Sequence, residues 1–293
     1  MKATRIGKVQ SGQDIAIFGK YIFAFIDRDP RGNCAVYEIE TMNHANGEEP
    51  EPICRFRLDR DEFIHVHNNA VCFGNEYYCE GDEFPLLYSN VYNSYHNSEV
   101  RYEGVTCVYR ITRDGNNFTS KLVQVIEIGF VENRELWKSL PEREDFRPYG
   151  NFVADCENNK YYGLVMRDKE HIVRCFTFDL PSCKDGEIDD RYGVKTVILH
   201  EKDIKDYFDV EYHPLQGACV HCGKIYSIGG GSESSRYPAE LRIIDPIKKT
   251  QEFYVNMREM GIGMEPEAID FAGDTCYYAA GHGDAFILEF EEN

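Results

Sequence analysis

The chain has 293 residues, 42% of them hydrophobic and 28% charged, and a net charge of −19. Enough apolar residues are present for a sizeable core, which excludes wholesale disorder. The acidity, without a basic stripe, excludes nucleic acid or an anionic bilayer as main partner. No apolar run approaches the roughly 18 residues of a spanning helix. The opening MKATRIGKVQSGQD lacks a signal-peptide pattern, so a cytoplasmic protein is expected.

Read in chain order, TRIGKV (4–9) is a short strand-like run that precedes a repeat. Five segments then share one grammar: a short strand of small and apolar residues, a Gly or polar turn, and an aromatic strand. They are QDIAIFGKYIFAFID, NNAVCFGNEYYCEG, NFVADCENNKYYGLVM, QGACVHCGKIYSIGGG and EAIDFAGDTCYYAAG, with turns at Gly19, Gly74, Glu157, Gly223 and Gly273. Each leads to a third strand (CAVYEIE, TCVYRIT, VRCFTFD, LRIIDP, AFILEF). The first four units add a fourth (ICRFRLD, LVQVIEI, KTVILHE, QEFYVNM). Helical patterning is confined to 132–140 (ENRELWKSL) and 202–208 (KDIKDYF), too short to organise a fold.

Four antiparallel strands repeated radially define a propeller. The expectation is therefore a single all-β domain over 1–293, a five-bladed β-propeller of four-stranded blades. The last unit lacks a fourth strand, and TRIGKV supplies it, closing the ring without an open edge. A two-sheet sandwich is the structural alternative.

The 11 cysteines are odd in number and sit mostly inside apolar strands, which reads as buried free thiols rather than a disulfide framework. Cys219-Val-His221-Cys222 is the one close Cys/His group. On a strand its Cys219 and His221 share a face, and Cys222 points away.

With strands named A to D outwards, the long connections 27–32, 89–104, 130–149, 231–239 and 257–265 all join B to C or D to the next A. They lie on one face, and loops on a rigid scaffold carry function. The channel mouth on that face should be lined by residues at the heads of the inner strands. These are Gln13, Asp14, His65, His67, Asn68, Asn69, Tyr149, Asn151, His213, Gln216, Glu265 and Glu267. Water or a ligand can satisfy such a polar ring. Arg236 and Tyr237 in the glycine/serine loop 229–238, and His282 in the turn Gly281-His282-Gly283, face the same side. His65-Val-His67 and Glu265-Pro-Glu267 both have i, i+2 spacing, so a divalent metal in the channel is one expectation for them. The loop around 89–104 is rich in Tyr, Asn and Ser, suited to sugars or peptides.

Gln216-Gly217, Gly223-Lys-Ile-Tyr226-Ser-Ile-Gly229, Ser234 and Leu241-Arg-Ile-Ile-Asp245 resemble one blade of the glutaminyl-cyclotransferase-like propellers. Glu265-Pro-Glu267-Ala-Ile-Asp is similar to a later blade start of that group and of lactonase-like propellers. The resemblance implies five blades and a central site. The glutamate that follows the blade tyrosine in cyclotransferases is Ser227 in this chain, which removes that activity's acid.

Three functional expectations follow. The first is a binding propeller that takes a polar small molecule, glycan or peptide. The second is a sugar- or lactone-directed hydrolase or lyase in which Glu265, Glu267 and His67 act as acid, base or metal ligands. The third is a protein-interaction scaffold.

Overall fold

A computed structural model describes residues 1–10, 12–26, 30–64, 67–91, 104–128, 150–167, 172–211 and 213–290. Five sheets, each built on an antiparallel four-stranded blade, are arranged radially as a β-propeller. Blade 1 comprises β2 (Ile15–Phe18), β3 (Tyr21–Phe25), β4 (Cys34–Glu38) and β5 (Cys54–Phe56). Blade 2 is built on β6 (Asn68–Phe73), β7 (Leu87–Val91), β8 (Val105–Asp114) and β9 (Asn117–Ile128). Blade 3 contains β10 (Gly150–Asp155), β11 (Lys160–Arg167), β12 (Ile172–Asp179) and β15 (Asp206–Glu211). Blade 4 contains β16 (Leu215–His221), β17 (Lys224–Gly229), β18 (Glu240–Asp245) and β19 (Thr250–Asn256). Blade 5 contains β20 (Pro266–Ala272), β21 (Thr275–Ala280) and β22 (Asp284–Glu289). Its outer strand is the N-terminal β1 (Lys2–Lys8), antiparallel to β22 with Lys2 opposite Glu289 and Lys8 opposite Asp284. The expected seam is therefore present.

Each core is shared between two blades, because successive side chains of a middle strand point to opposite faces. In β3, Tyr21, Phe23 and Phe25 pack toward blade 2, whereas Ile22 and Ala24 pack toward blade 5. In β21, Cys276, Tyr278 and Ala280 face blade 4, and Tyr277 and Ala279 face blade 1. Burial on both faces explains why these strands read as nearly continuous apolar runs, cysteines included. All 11 cysteines are free; only Cys79 and Cys222 are exposed.

Two outer-strand expectations are corrected. KTVILHE is not the fourth strand of blade 3. It forms β14 (Val194–Leu199), which runs parallel to β9 on the outer edge of blade 2, with β13 (Glu187–Asp189) beyond it. The edge of β9 is long, and covering it removes a row of unpaired backbone groups. Leu199 and Val197 join the core between blades 2 and 3, and Tyr192 joins that between blades 1 and 2. Gln124 Nε2 donates to Ser182 O at 2.7 Å, and Arg191 Nη2 to Glu127 Oε2 at 2.8 Å.

The true fourth strand of blade 3 is β15, in the region read as a helix. Only Glu201–Asp203 is helical there, as one 3-10 turn. Phe208 and Val210 are buried, while Asp209 and Glu211 face solvent, so the period is 2 and not 3.6. The other expected helix, 132–140, lies outside the described residues.

Blade 2 differs as well. EYYC is not its second strand: Tyr77 and Tyr78 are 45% and 41% exposed, in a connection that ends where Leu87 begins β7. Asp82 ties that connection, accepting from Cys79 N at 3.0 Å and from Arg110 Nη2 at 2.5 Å. The face opposite the predicted one thus also bears long connections, at 39–53, 74–86 and 180–205. Ser89 and Asn90, expected in the connection 89–104, are buried in β7.

Deleting residues 1–8 should expose the β22 edge and strip Ile6 from the core between blades 5 and 1. The thermal midpoint should fall by ~5 °C or more, with oligomers appearing on size-exclusion chromatography. An unchanged midpoint and a monomeric peak would show that the ring does not depend on this seam.

Candidate functional site

The inner strands β2, β6, β10, β16 and β20 meet at the centre. Two aspartates, Asp14 buried and Asp270 half-buried, hold them there. Asp14 precedes β2; its Oδ1 accepts from Ile15 N at 2.8 Å and its Oδ2 from Val71 N of blade 2 at 2.7 Å. Asp270 in β20 accepts from Ile17 N of blade 1 at 2.6 Å and from Phe271 N at 2.8 Å. Burial outweighs these donors, so Asp14 lies well above the ordinary range and Asp270 is pushed up to about 7.

On the predicted face a cavity of about 720 Å³ opens above blades 4, 5 and 1. Four connections form its wall. Gly12 comes from the β1–β2 link, and Ser232, Glu233 and Ser234 from the β17–β18 loop. The β19–β20 link supplies Gly261, Gly263, Met264 and Glu265, and the β21–β22 turn Gly281 and His282; Glu267 of β20 completes the lining. The loop is held down by Arg258, whose Nη2 donates to Ser232 O at 2.8 Å. Gly281, at φ +57°, tolerates the close approach of Met264, whose sulfur would lie 3.0 Å from an added Cβ.

Glu265 immediately precedes β20, and Glu267 lies at its head, where the register with β21 shifts between Pro266 and Ala268 and Glu267 is left without a partner in the ladder. Burial first, then the neighbouring Glu265 and Asp14, push Glu267 up to about 9. Glu265 accepts from the Gln216 amide, which also donates to Gly230 O at 3.3 Å. At neutral pH the pair therefore offers one protonated carboxyl, able to donate, beside an oriented acceptor. Among the described residues lining the cavity, the ionisable groups are Glu233, Glu265, Glu267 and His282, with no Lys or Arg.

The structure thus brings Glu265, Glu267, Gln216 and His282 together. Arg236 and Tyr237 belong to the same loop but do not line the cavity, and the Arg236 guanidinium lies 5.7 Å from the Tyr237 ring centre. Gln13 is half-buried next to Gly12. His67, at the head of β6, does not line the cavity. Asn68 and Asn151 belong to blades 2 and 3, both fully buried. Asn68 Oδ1 accepts from Ser89 Oγ at 2.6 Å, while neither amide atom of Asn151 has a hydrogen-bond partner. Neither residue lines the cavity. His65 and Tyr149 lie outside the described residues, as do 27–29 and 92–103.

His213 is a structural residue: Nε2 lies 3.1 Å from Ser227 Oγ, and burial, followed by the Arg242 charge, pulls its pKa down to about 3. Ser227, at the cyclotransferase glutamate position, is itself fully buried. Among the described residues no group of three or more His, Cys, Asp or Glu side chains is placed to hold a metal ion. Sequence reasoning missed Glu233 and Met264, because only packing of the loop against 261–264 reveals that they share one wall.

No family model matches the chain, and no curated protein sequence matches it. Among solved structures it is similar to the glutaminyl cyclase of Myxococcus xanthus, with a TM-score of 0.50 and 9% identity over 98% of this chain and 97% of that one. It is also similar to BamB from Moraxella catarrhalis, with a TM-score of 0.33 and 9% identity over 96% and 60% of the two chains. A third match is the computationally designed Ika8 protein, with a TM-score of 0.38 and 9% identity over 98% and 99%. The likeness to the cyclase concerns the fold alone.

An acid raised on folding takes up a proton, so its stabilising effect is complete below its unfolded value and is lost as pH rises toward the folded one. For Glu267 that window runs from 4.5 to about 9, and for Asp270 from 3.8 to about 7. The thermal midpoint should therefore decline between pH 5 and pH 8.5. Glu267→Gln should flatten the decline and raise the midpoint at pH 8 by ~2 °C or more. A variant that melts like the parent at both pH values would mean that Glu267 ionises freely.

Proposed function

We propose that the chain is a binding propeller that takes a polar small molecule, glycan or peptide in the cavity between blades 4, 5 and 1. The observation that carries this reading is the cavity itself. At about 720 Å³ it lies in the size range of ligand sites, roughly 300–1,000 Å³, with a few convergent polar groups on a mostly uncharged wall. The glutamates and the lack of Lys and Arg in that wall weigh against phosphate-bearing ligands, whose charge would meet like charge. They favour hydroxyls and amines, which can donate to Glu233 and Glu265 and accept from protonated Glu267.

A second reading is an enzyme acting on a sugar or lactone. It is supported by the paired carboxylates, since an acid kept protonated beside an oriented acceptor is the arrangement that acid–base chemistry uses. Glu267 would then be the proton donor and Glu265 the base.

A thermal-shift screen of neutral sugars, short peptides and amines tests the first reading. Hits should stabilise the parent, and the double variant Glu233→Gln/Glu265→Gln should weaken their affinity by about tenfold or more, or ~1.4 kcal/mol. Hits indifferent to that variant would place the ligand elsewhere. Turnover of sugars, lactones or esters that is abolished by Glu267→Gln would move the assignment to the enzyme. The absence of turnover with every substrate, at every added divalent metal, would remove it.

A further inference from the structure

The channel has a second mouth, on the opposite face, built from the turns that end the inner strands. A cavity of about 390 Å³ lies there, and β2, β6, β10, β16 and β20 all contribute to its wall. Its reactive group is a pair from the Cys219-Val-His221-Cys222 string. Cys222 is exposed, and its Sγ lies 3.4 Å from His221 Nε2, a distance at which the thiol donates to the imidazole. The imidazole is held in place: its ring stacks on Phe271 of blade 5, with centroids 3.9 Å apart and planes 2° apart. The backbone fixes the thiol too, because Cys222 (φ 49°) and Gly223 (φ 70°) form a two-residue hairpin turn with both positions left-handed.

We propose that Cys222 is a modification site: its thiol, activated by His221 at the mouth of this cavity, exchanges with small organic disulfides that carry positive charge. His221 accepts the thiol proton, and the thiolate attacks one sulfur of the disulfide. A bond forms between Cys222 Sγ and that sulfur, the original S–S bond breaks, and the departing thiolate takes the proton back. The preference for a cationic reagent comes from the surroundings. Asp155 and Glu157 line the cavity, and Asp274 Oδ1 lies 3.9 Å from His221 Nε2. Asp274 and Glu157 also stabilise the imidazolium that the exchange creates, against the burial that keeps His221 neutral at rest. Two further thiols of the wall, Cys72 and Cys156, have their pKa values raised by burial and stay protonated.

Cys79 is an internal control, since it is exposed and, among the described residues, no imidazole is hydrogen-bonded to it. The full chain treated with cystamine at pH 7 and read by peptide mass spectrometry should be labelled at Cys222 about tenfold faster than at Cys79. His221→Gln should erase most of that advantage without changing the rate at Cys79, which also reports that the variant is folded. Oxidised glutathione, an anionic disulfide, should show a smaller Cys222-to-Cys79 ratio than cystamine. A Cys222 rate no greater than that of Cys79, or one unchanged by His221→Gln, overturns the activated thiol. An equal ratio with both disulfides overturns the charge preference.

Discussion

The constraint on which the rest of this structure depends is that no blade owns a core. Each hydrophobic cluster lies between two sheets, and five clusters fill five gaps. A blade without a neighbour would leave one face of aromatic and β-branched side chains in water, at about 25 cal/mol per Å² of apolar area. The ring must therefore close, and mixing the two ends of the chain in one sheet closes it without an open strand edge at the seam. The pairing of β1 with β22 does this, and Ile6 and Val9 then complete the gap between blades 5 and 1. Closure fixes where the inner strands end, and so where both channel mouths fall.

That constraint explains what was legible in the sequence. The two inner strands of each blade are buried on both faces, so their sequences carry the small-apolar-then-aromatic signature wherever the turn between them is short. The rule fails in blade 2, where a long connection replaces the turn and a further aromatic run, EYYC, imitates the missing strand. Outer strands have one face in solvent and fewer constraints. KTVILHE and KDIKDYF could therefore be exchanged. KTVILHE is apolar enough to be a blade strand but covers a neighbour's edge. KDIKDYF carries a helical pattern, which breaks once Asp209 and Glu211 alternate with Phe208 and Val210.

The site was legible in part for the same reason. Residues at the heads of inner strands are placed by the repeat, so Glu265, Glu267 and Gln216 could be grouped from the sequence. Residues on connections are placed by packing between loops, and no periodicity marks them. Glu233 reaches the cavity wall because loop 231–239 folds onto Gly263, where an added Cβ would meet the Glu233 carboxylate. His67 sits at an equivalent strand head yet lies outside the wall, since the cavity is not centred on the channel axis but displaced toward blades 4, 5 and 1.

The same displacement gathers the acids. Glu265 and Glu267 stand at the upper end of β20, Asp14 beside them at the head of β2, and Asp270 further down β20 toward the lower mouth. The two aspartates have spent both oxygens on backbone N–H groups of their own or adjoining blades, so they are committed to the ring. The glutamates are not. Gln216 holds one oxygen of Glu265, and burial, not a donor, sets the state of Glu267. A protonated carboxyl raised by desolvation and by like-charged neighbours is the group that an arriving donor, cation or hydroxyl changes most. In this propeller the structural Asp270 and the adaptable Glu267 share one strand, and their hydrogen-bond partners tell them apart.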